Sequence, residues 1–333
     1  MTVRERVSER AGVAPGLRIR NLWVDIGKGA GAVHAVRGVD IAVQQGARVG
    51  VVGESGSGKT MTALAVLRVL PSTARVLEGE VTLGEADLFS LSNREMASVR
   101  GRQISIVFQN AKSALNPVFP VGEQISTVYR RHLGGSRSAA RARAVEILEA
   151  MGIPEPARTA HLFPHELSGG MAQRVMIAMA LVCEPAILLA DEPTTGLDVT
   201  IQAQVLDVIA TSLKRRSTSL LLISHDIGVV RGMCEELVVM YAGEVVESGA
   251  LENILSNPHH PYTAGLIEAF MATDKPHYIP GHVPTLRRTF IGCSFADRCP
   301  LANETCRTIR PELRQLADAR LVACHRAEQV GRP

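Results

Sequence analysis

The densest chemistry in the chain lies in GESGSGKT, Gly53-Glu54-Ser55-Gly56-Ser57-Gly58-Lys59-Thr60. It matches the spacing G-x-x-x-x-G-K-[ST] and falls between a predicted strand (47–53) and a predicted helix from Lys59 to about Leu70, stopped by Pro71. Glycines at these positions let backbone N–H groups turn inward around phosphate oxygens, and a helix N-terminus adds positive potential. Lys59 then reaches the β- and γ-phosphates, and the Thr60 hydroxyl suits Mg²⁺. The bland alternative is a chance Gly-rich turn, and the strand-to-helix setting argues against it.

Two further segments bear on phosphate chemistry. In AILLADEP, Asp191 ends an apolar strand, where a carboxylate is costly unless it faces a cation. Mg²⁺, direct or through water, is the expected partner. Glu192 follows on the γ-phosphate side, placed to polarise an attacking water. The competing reading is a simple acidic pair at a strand end. In LSGGMAQR, Ser168, Gly169 and Gly170 open a helix and form a second anion-binding N-terminus. One chain does not need two γ-phosphate clamps, so this one is read as serving a neighbour. The motif alone does not distinguish it from an ordinary capped helix.

A last constellation lies near the C-terminal end. Cys293, Cys299, Cys306 and Cys324 have spacings C-x5-C, C-x6-C and C-x17-C. Structural zinc more naturally uses short knuckles of two to four residues, so Zn²⁺ is the less natural occupant. Four thiolates suit a 4Fe–4S cluster. Four reduced thiols packed in a small subdomain are the alternative. His325 adjoins Cys324 and offers a donor to a ligand or a substitute for one. Cys183 and Cys234 stand apart and read as buried structural thiols.

The elements that must position these residues follow from apolar patterning. Residues 17–24, 33–44 and 79–84 read as strands of a small sheet. Segments 47–53, 103–108, 186–191 and 220–224 are short, nearly continuous apolar runs of the buried parallel type. Residues 120–180 read as helical, and a further helix separates the last two buried strands. Residues 236–249 form a hairpin turning at Tyr241-Ala242-Gly243.

Composition narrows the class. The chain has 333 residues, 46% hydrophobic and 21% charged, with a formal net charge of +3 and 4% aromatic content. This fits one large globular domain with an appendage and gives no mandate for nucleic acid. MTVRERVSER lacks the apolar core of a secretory signal, and VMIAMALVCEPAILLA, the best spanning candidate, is broken by Glu184 and Pro185. The expectation is a cytosolic protein, where a cysteine cluster means metal or redox chemistry more often than disulfides.

Taken in order, GESGSGKT, Gln109 in VFQN, LSGGMAQR, LLADEP, TTGLD (194–198) and His225 in LLLISHD resemble an ABC transporter ATP-binding subunit over about residues 17–255. SALNP, NPHHPYTAGLIEAF and a C-x-F-x-x-R-C-P segment (Cys293–Pro300) resemble the oligopeptide/dipeptide/nickel importer branch and carry the likeness to about residue 326.

The resemblance implies an α/β fold: a P-loop NTPase with a RecA-like parallel sheet core, an antiparallel β subdomain, a helical subdomain and a cysteine-containing C-terminal extension. It implies a tail over 1–16, a nucleotide-binding domain over 17–255 with helices at about 110–180, and the extension over 256–333. Gln109 would link the Mg²⁺ site to the helical subdomain, Asp198 would sit across a dimer interface, and His225 would contact the γ-phosphate. ATP would be sandwiched between the phosphate loop of one subunit and Ser168–Gly170 of another. Members of this branch with such a tail carry a 4Fe–4S cluster. Where the family stacks an aromatic residue on adenine, the alignment places Ile26, with Trp23 and His34 nearby.

The function implied is ATP hydrolysis powering peptide import at the cytoplasmic face of the membrane. The partners implied are a second ATPase subunit, a paralogue rather than a copy, two integral membrane permease subunits and, indirectly, a solute-binding protein. An importer of nickel or another small solute and a soluble, non-transport ABC ATPase are the alternatives. The extension lies far from the phosphate loop in sequence. Its expected role is structural, a segment with little apolar content that metal ligation would staple.

Overall fold

The computed structural model describes residues 15–216, 218–271, 278–287 and 290–330. The N-terminal tail read over 1–16 lies outside these residues as far as residue 14. The chain divides into two compact units, one formed by residues up to Ser90 together with those from Ile223 onward, the other by Leu91–Leu222.

In the first unit, strand β1 (Pro15–Ile26) pairs antiparallel with β2 (Val33–Gln44). In β1, Leu17 and Ile19 are buried, then Leu22 and Val24. This change of phase needs one extra residue. Asn21 supplies it with φ 44°, and the register slips between Ile19 and Leu22. β3 (Arg48–Val52) is a short buried strand leading into the glycine-rich loop and helix α1 (Lys59–Val66).

α1 ends before the predicted Leu70. Arg68 adopts φ 53°, its N–H bonds the Ala65 carbonyl at 2.9 Å, and the Val69 N–H bonds the Leu64 carbonyl at 3.0 Å. This is a Schellman closure with arginine where glycine is usual, so no glycine signals it in the sequence. β4 (Ala74–Leu83) begins five residues before the predicted 79, because residues 74–78 find partners on β1. With β5 (Ala86–Asp87) the antiparallel sheet has the order β2-β1-β4-β5.

The second unit holds α2 (Asn93–Val99), β6 (Ile104–Val107), α3 (Ala111–Ala114), α4 (Val121–Leu133), α5 (Arg137–Ala150), α6 (Pro156–Thr159) and α7 (Gly169–Leu181). β7 (Ile187–Asp191), α8 (Val199–Arg216) and β8 (Ser219–Ile223) follow. β6 runs parallel to β7, and every residue of β7 and β8 is buried. Strands covered on both faces read as apolar runs, which is why these were visible in the sequence.

The first unit resumes with α9 (Ile227–Met233), β9 (Glu236–Tyr241), β10 (Glu244–Ala250), α10 (Leu251–Ser256) and α11 (Pro261–Met271). β3 pairs parallel with β9, and the β9–β10 hairpin turns at Ala242 (φ 50°) and Gly243 (φ 83°). Beyond residue 290 come α12 (Glu304–Thr308) and the small hairpin of β11 (Arg314–Gln315) and β12 (Leu321–Val322). β12 adds antiparallel to β10.

Side-chain contacts outside the cysteines help to hold this last segment. Phe295, 2% exposed, packs with Tyr241 and Tyr262 at centroid distances of 5.2 and 5.5 Å. Each such aromatic pair contributes about 0.5–1.5 kcal/mol beyond area burial. Arg320 is buried against Glu247, which also accepts the His259 and His260 N–H groups at 2.9 and 3.0 Å. The segment therefore has anchors of its own, which its sparse apolar composition concealed.

Candidate functional site

The phosphate loop is preorganised by backbone constraints. Gly53 has φ 153°, and a Cβ there would lie 2.1 Å from the Met240 carbonyl oxygen. Gly58 has φ 98°, with the Ala35 carbonyl oxygen 2.4 Å from its would-be Cβ. Neither position tolerates a side chain. Glu54, Ser55, Gly56 and Ser57 cross between them. Lys59 is buried and folded back along the loop: its Nζ donates to the carbonyls of Gly53 at 2.7 Å and Glu54 at 3.0 Å and to Ser57 Oγ at 3.2 Å. Thr60, next along, is exposed. The loop thus presents a cation and a helix N-terminus on a fixed backbone, the chemistry of a polyphosphate cradle.

His225 and Ile26 belong to the same unit. The Ser224 N–H donates to the Val51 carbonyl at 3.2 Å, which sets exposed His225 beside the strand that feeds the loop. Ile26 closes β1, opposite Val33 on one side and Ala74 on the other, and is half-buried.

In the second unit Asp191 ends β7 and is buried. Glu192 takes φ 47°, a left-handed backbone that costs a non-glycine residue about 1–3 kcal/mol and persists only where neighbours impose it. Its Oε2 accepts Gln109 Nε2 at 2.9 Å and the Thr195 hydroxyl at 2.9 Å. Gln173 Nε2 donates to the Pro193 carbonyl at 2.5 Å and braces the turn behind it. Ser168 caps α7, its Oγ accepting the Met171 N–H at 3.2 Å, with Gly169 and Gly170 opening the helix. A Cβ on Gly170 would meet Ile201 Cγ2 at 2.6 Å. Asp198 Oδ1 accepts the Ile201 N–H at 3.0 Å at the start of α8.

The four cysteines of the last segment occupy one neighbourhood. The Cys293 N–H donates to the Cys306 carbonyl at 2.7 Å. Burial, together with the neighbouring Cys324, Cys299 and Cys306 thiols, pushes the Cys293 thiol up to about 12. Burial likewise pushes Cys324 up to about 11 and raises Cys299. Among the described residues no three His, Cys, Asp or Glu side chains converge on a single metal ion. His325 Nε2 lies 2.9 Å from the Ile309 carbonyl.

Sequence distance hid two residues, and a third lay close by unnoticed. Arg298 grips the Glu54 carboxylate with Nη1–Oε2 2.7 Å and Nη2–Oε1 3.0 Å. The Tyr262 hydroxyl accepts the Glu54 N–H at 2.8 Å. Arg298 was visible as the arginine of C-x-F-x-x-R-C-P, but nothing in that motif says that it reaches the phosphate loop. Thr195 lay inside TTGLD unremarked.

Residues 36–195 match the family described as ABC transporter, and residues 246–306 match the C-terminal region of oligopeptide/dipeptide transporters. The dipeptide transport ATP-binding protein DppD of Escherichia coli is 41% identical, over 95% of this chain and 98% of that protein. The oligopeptide transport ATP-binding protein AppD of Bacillus subtilis is also 41% identical, over 95% of this chain and 98% of that protein. Among solved structures, a dimeric ATP-binding cassette in a post-hydrolysis state bound to ADP and Pi superposes with a TM-score of 0.64 at 28% identity, covering 71% of this chain and 98% of that one. Among the described residues no helix is long and apolar enough to cross a membrane. With these matches over most of its length, the chain belongs to the ATP-binding subunits of ABC transporters, in the oligopeptide/dipeptide branch.

Proposed function

We propose that this chain hydrolyses ATP to power the import of di- or oligopeptides through separate permease subunits. The observation that carries the hydrolytic reading is Glu192, a strand-end carboxylate held by Gln109 and Thr195 and therefore aimed rather than mobile. Lys59 binds the β- and γ-phosphates, and Gly53–Thr60 wraps them. Thr60, Asp191 and Gln109 are the residues that would hold Mg²⁺, which would supply positive charge to offset that of the phosphates. Glu192 takes the proton of the attacking water, and His225 donates to the γ-phosphate and orients that water. Ser168, Gly169 and Gly170 serve the nucleotide of a partner subunit, with Asp198 at the same interface. Ile26 supplies apolar packing for adenine in place of a stack.

The domain reading remains a nucleotide-binding domain over 17–255 on a RecA-like core and a cysteine-bearing extension after it. Four thiols in one neighbourhood support a 4Fe–4S cluster, for which cysteine-only ligation is the common arrangement. Burial keeps the Cys293 and Cys324 thiols protonated, so ligation would displace their protons and stabilise the fold. The likeness to DppD and AppD supports a subunit seated peripherally at the cytoplasmic face with two permeases, a paralogous ATPase and, indirectly, a solute-binding protein.

The test is reconstitution with two permease subunits and a solute-binding protein of the peptide-importer type. ATPase activity should rise when the binding protein is loaded with peptide. Copurification with no membrane subunit and full, peptide-independent activity in solution would refute the transport reading.

A further inference from the structure

Glu54 occupies the first variable position of the phosphate loop. An unpaired carboxylate there opposes the negative charge of an arriving triphosphate, in a partly desolvated setting where such repulsion is weakly screened. The Arg298 fork closes on this carboxylate through the two parallel hydrogen bonds described above, the geometry that fixes orientation as well as charge. Arg298 is itself held from several directions. Its Nε donates to the Pro280 carbonyl at 2.9 Å, its Nη2 to the Ile279 carbonyl at 3.0 Å and its Nη1 to the Tyr241 hydroxyl at 3.3 Å, and its side chain is 4% exposed.

The backbone of Glu54 is held as firmly as its side chain. Its N–H is taken by the Tyr262 hydroxyl and its carbonyl by Lys59 Nζ. Tyr262 packs on Tyr241 at 4.6 Å and on Phe295, three residues before Arg298. One residue of the loop thus joins the phosphate-binding lysine to the C-terminal extension.

We propose that Arg298 is a positioning residue for nucleotide: it neutralises and immobilises Glu54, so that the extension completes the phosphate loop in cis. The inference rests on the ATP-binding reading of that loop and is independent of whether the cysteines hold a cluster. It gives the extension a part in nucleotide affinity, where sequence distance had assigned it only a structural one.

The experiment compares the full-length chain with Arg298→Ala, Glu54→Gln and the double variant, reading affinity with a fluorescent ATP analogue and ATPase kinetics. Arg298→Ala should weaken binding about tenfold and raise KM for ATP in proportion, with kcat within about twofold, since the chemistry lies with other groups. The double variant should bind better than Arg298→Ala alone, because the uncompensated carboxylate is gone. Wild-type affinity in a folded Arg298→Ala chain, or losses that simply add, would overturn the proposal. Should Arg298→Ala misfold, amide exchange in Arg298→Lys decides: faster exchange at Glu54 and Ser55 supports the clamp, since lysine keeps the charge but loses the fork, and unchanged exchange overturns it. If the wild-type chain binds no ATP analogue, the ATP reading itself has failed, a result distinct from indifference at Arg298.

Discussion

Gln109 and Glu192 meet in a hydrogen bond of 2.9 Å, the amide Nε2 donating to carboxylate Oε2. The Thr195 hydroxyl donates to the same oxygen, which leaves Oε1 as the atom these two bonds do not engage. A carboxylate oriented in this way at a strand end is suited to receive a proton from water.

Glu192→Gln should lower single-turnover phosphate release about 10²–10⁴-fold while ATP affinity stays near wild type, the range expected for removing a general base. Gln109→Ala should cost less, because Thr195 still holds the carboxylate. Rapid-quench assays on the assembled transporter separate the two. Undiminished release from Glu192→Gln would contradict the assignment of the base.

The ion pair of Arg320 with Glu247 is enclosed, the two side chains being 4% and 0% exposed. Desolvation pushes the Glu247 carboxyl upward, against the bonds it accepts from His259, His260 and Arg320. Removing Arg320 leaves the buried Glu247 carboxylate without its cation. Arg320→Ala should therefore destabilise the first unit by about 3–5 kcal/mol, whereas a well-packed apolar replacement of both partners should cost far less. Urea unfolding of the two variants tests the contrast.

Replacing Cys306 or Cys324 by serine should abolish iron and acid-labile sulfide in anaerobically purified protein. It should also speed proteolysis of the segment beyond residue 290. Equal iron content in wild type and in both variants would remove the cluster from the reading.

His260 is 1% exposed, and burial lowers its pKa from 6.5 to about 3. Its Nδ1 accepts the Tyr262 N–H at 3.0 Å, which also requires the neutral ring. Below about pH 6.5 the unfolded chain takes up a proton that the folded chain refuses. Stability should therefore fall as pH drops from 6.5 toward 3, by at most about 1.4 kcal/mol per unit from this residue. In His260→Asn that component of the slope should vanish from the unfolding midpoint measured against pH.

The sequence announced its local chemistry well. The settings of Gly53–Thr60 between a strand and a helix, of Asp191 at a strand end and of Ser168 at a helix cap depend on neighbours a few positions away, so spacing alone reveals them. The buried strands β7 and β8 were legible because both faces are covered and every residue except the terminal Asp191 is apolar or small. The end of α1 was not, because Arg68 closes the helix with a backbone shape that glycine usually signals. Least legible was Arg298 with Glu54, partners separated by 244 positions. No periodicity or motif encodes which arginine of a distant loop returns to which carboxylate; that pairing is a product of the fold.

β12 lies along β10, with the Ala323 N–H donating to the Val246 carbonyl at 2.9 Å. Without it, the hairpin's outer strand would present a row of unpaired amides and carbonyls beside Val245 and Val246, an open template for strands from other molecules. A chain cut after α11 would expose that edge. Shortened versions of this protein should be expected to aggregate even where their nucleotide loop is intact, so the last segment also acts as a guard on solubility.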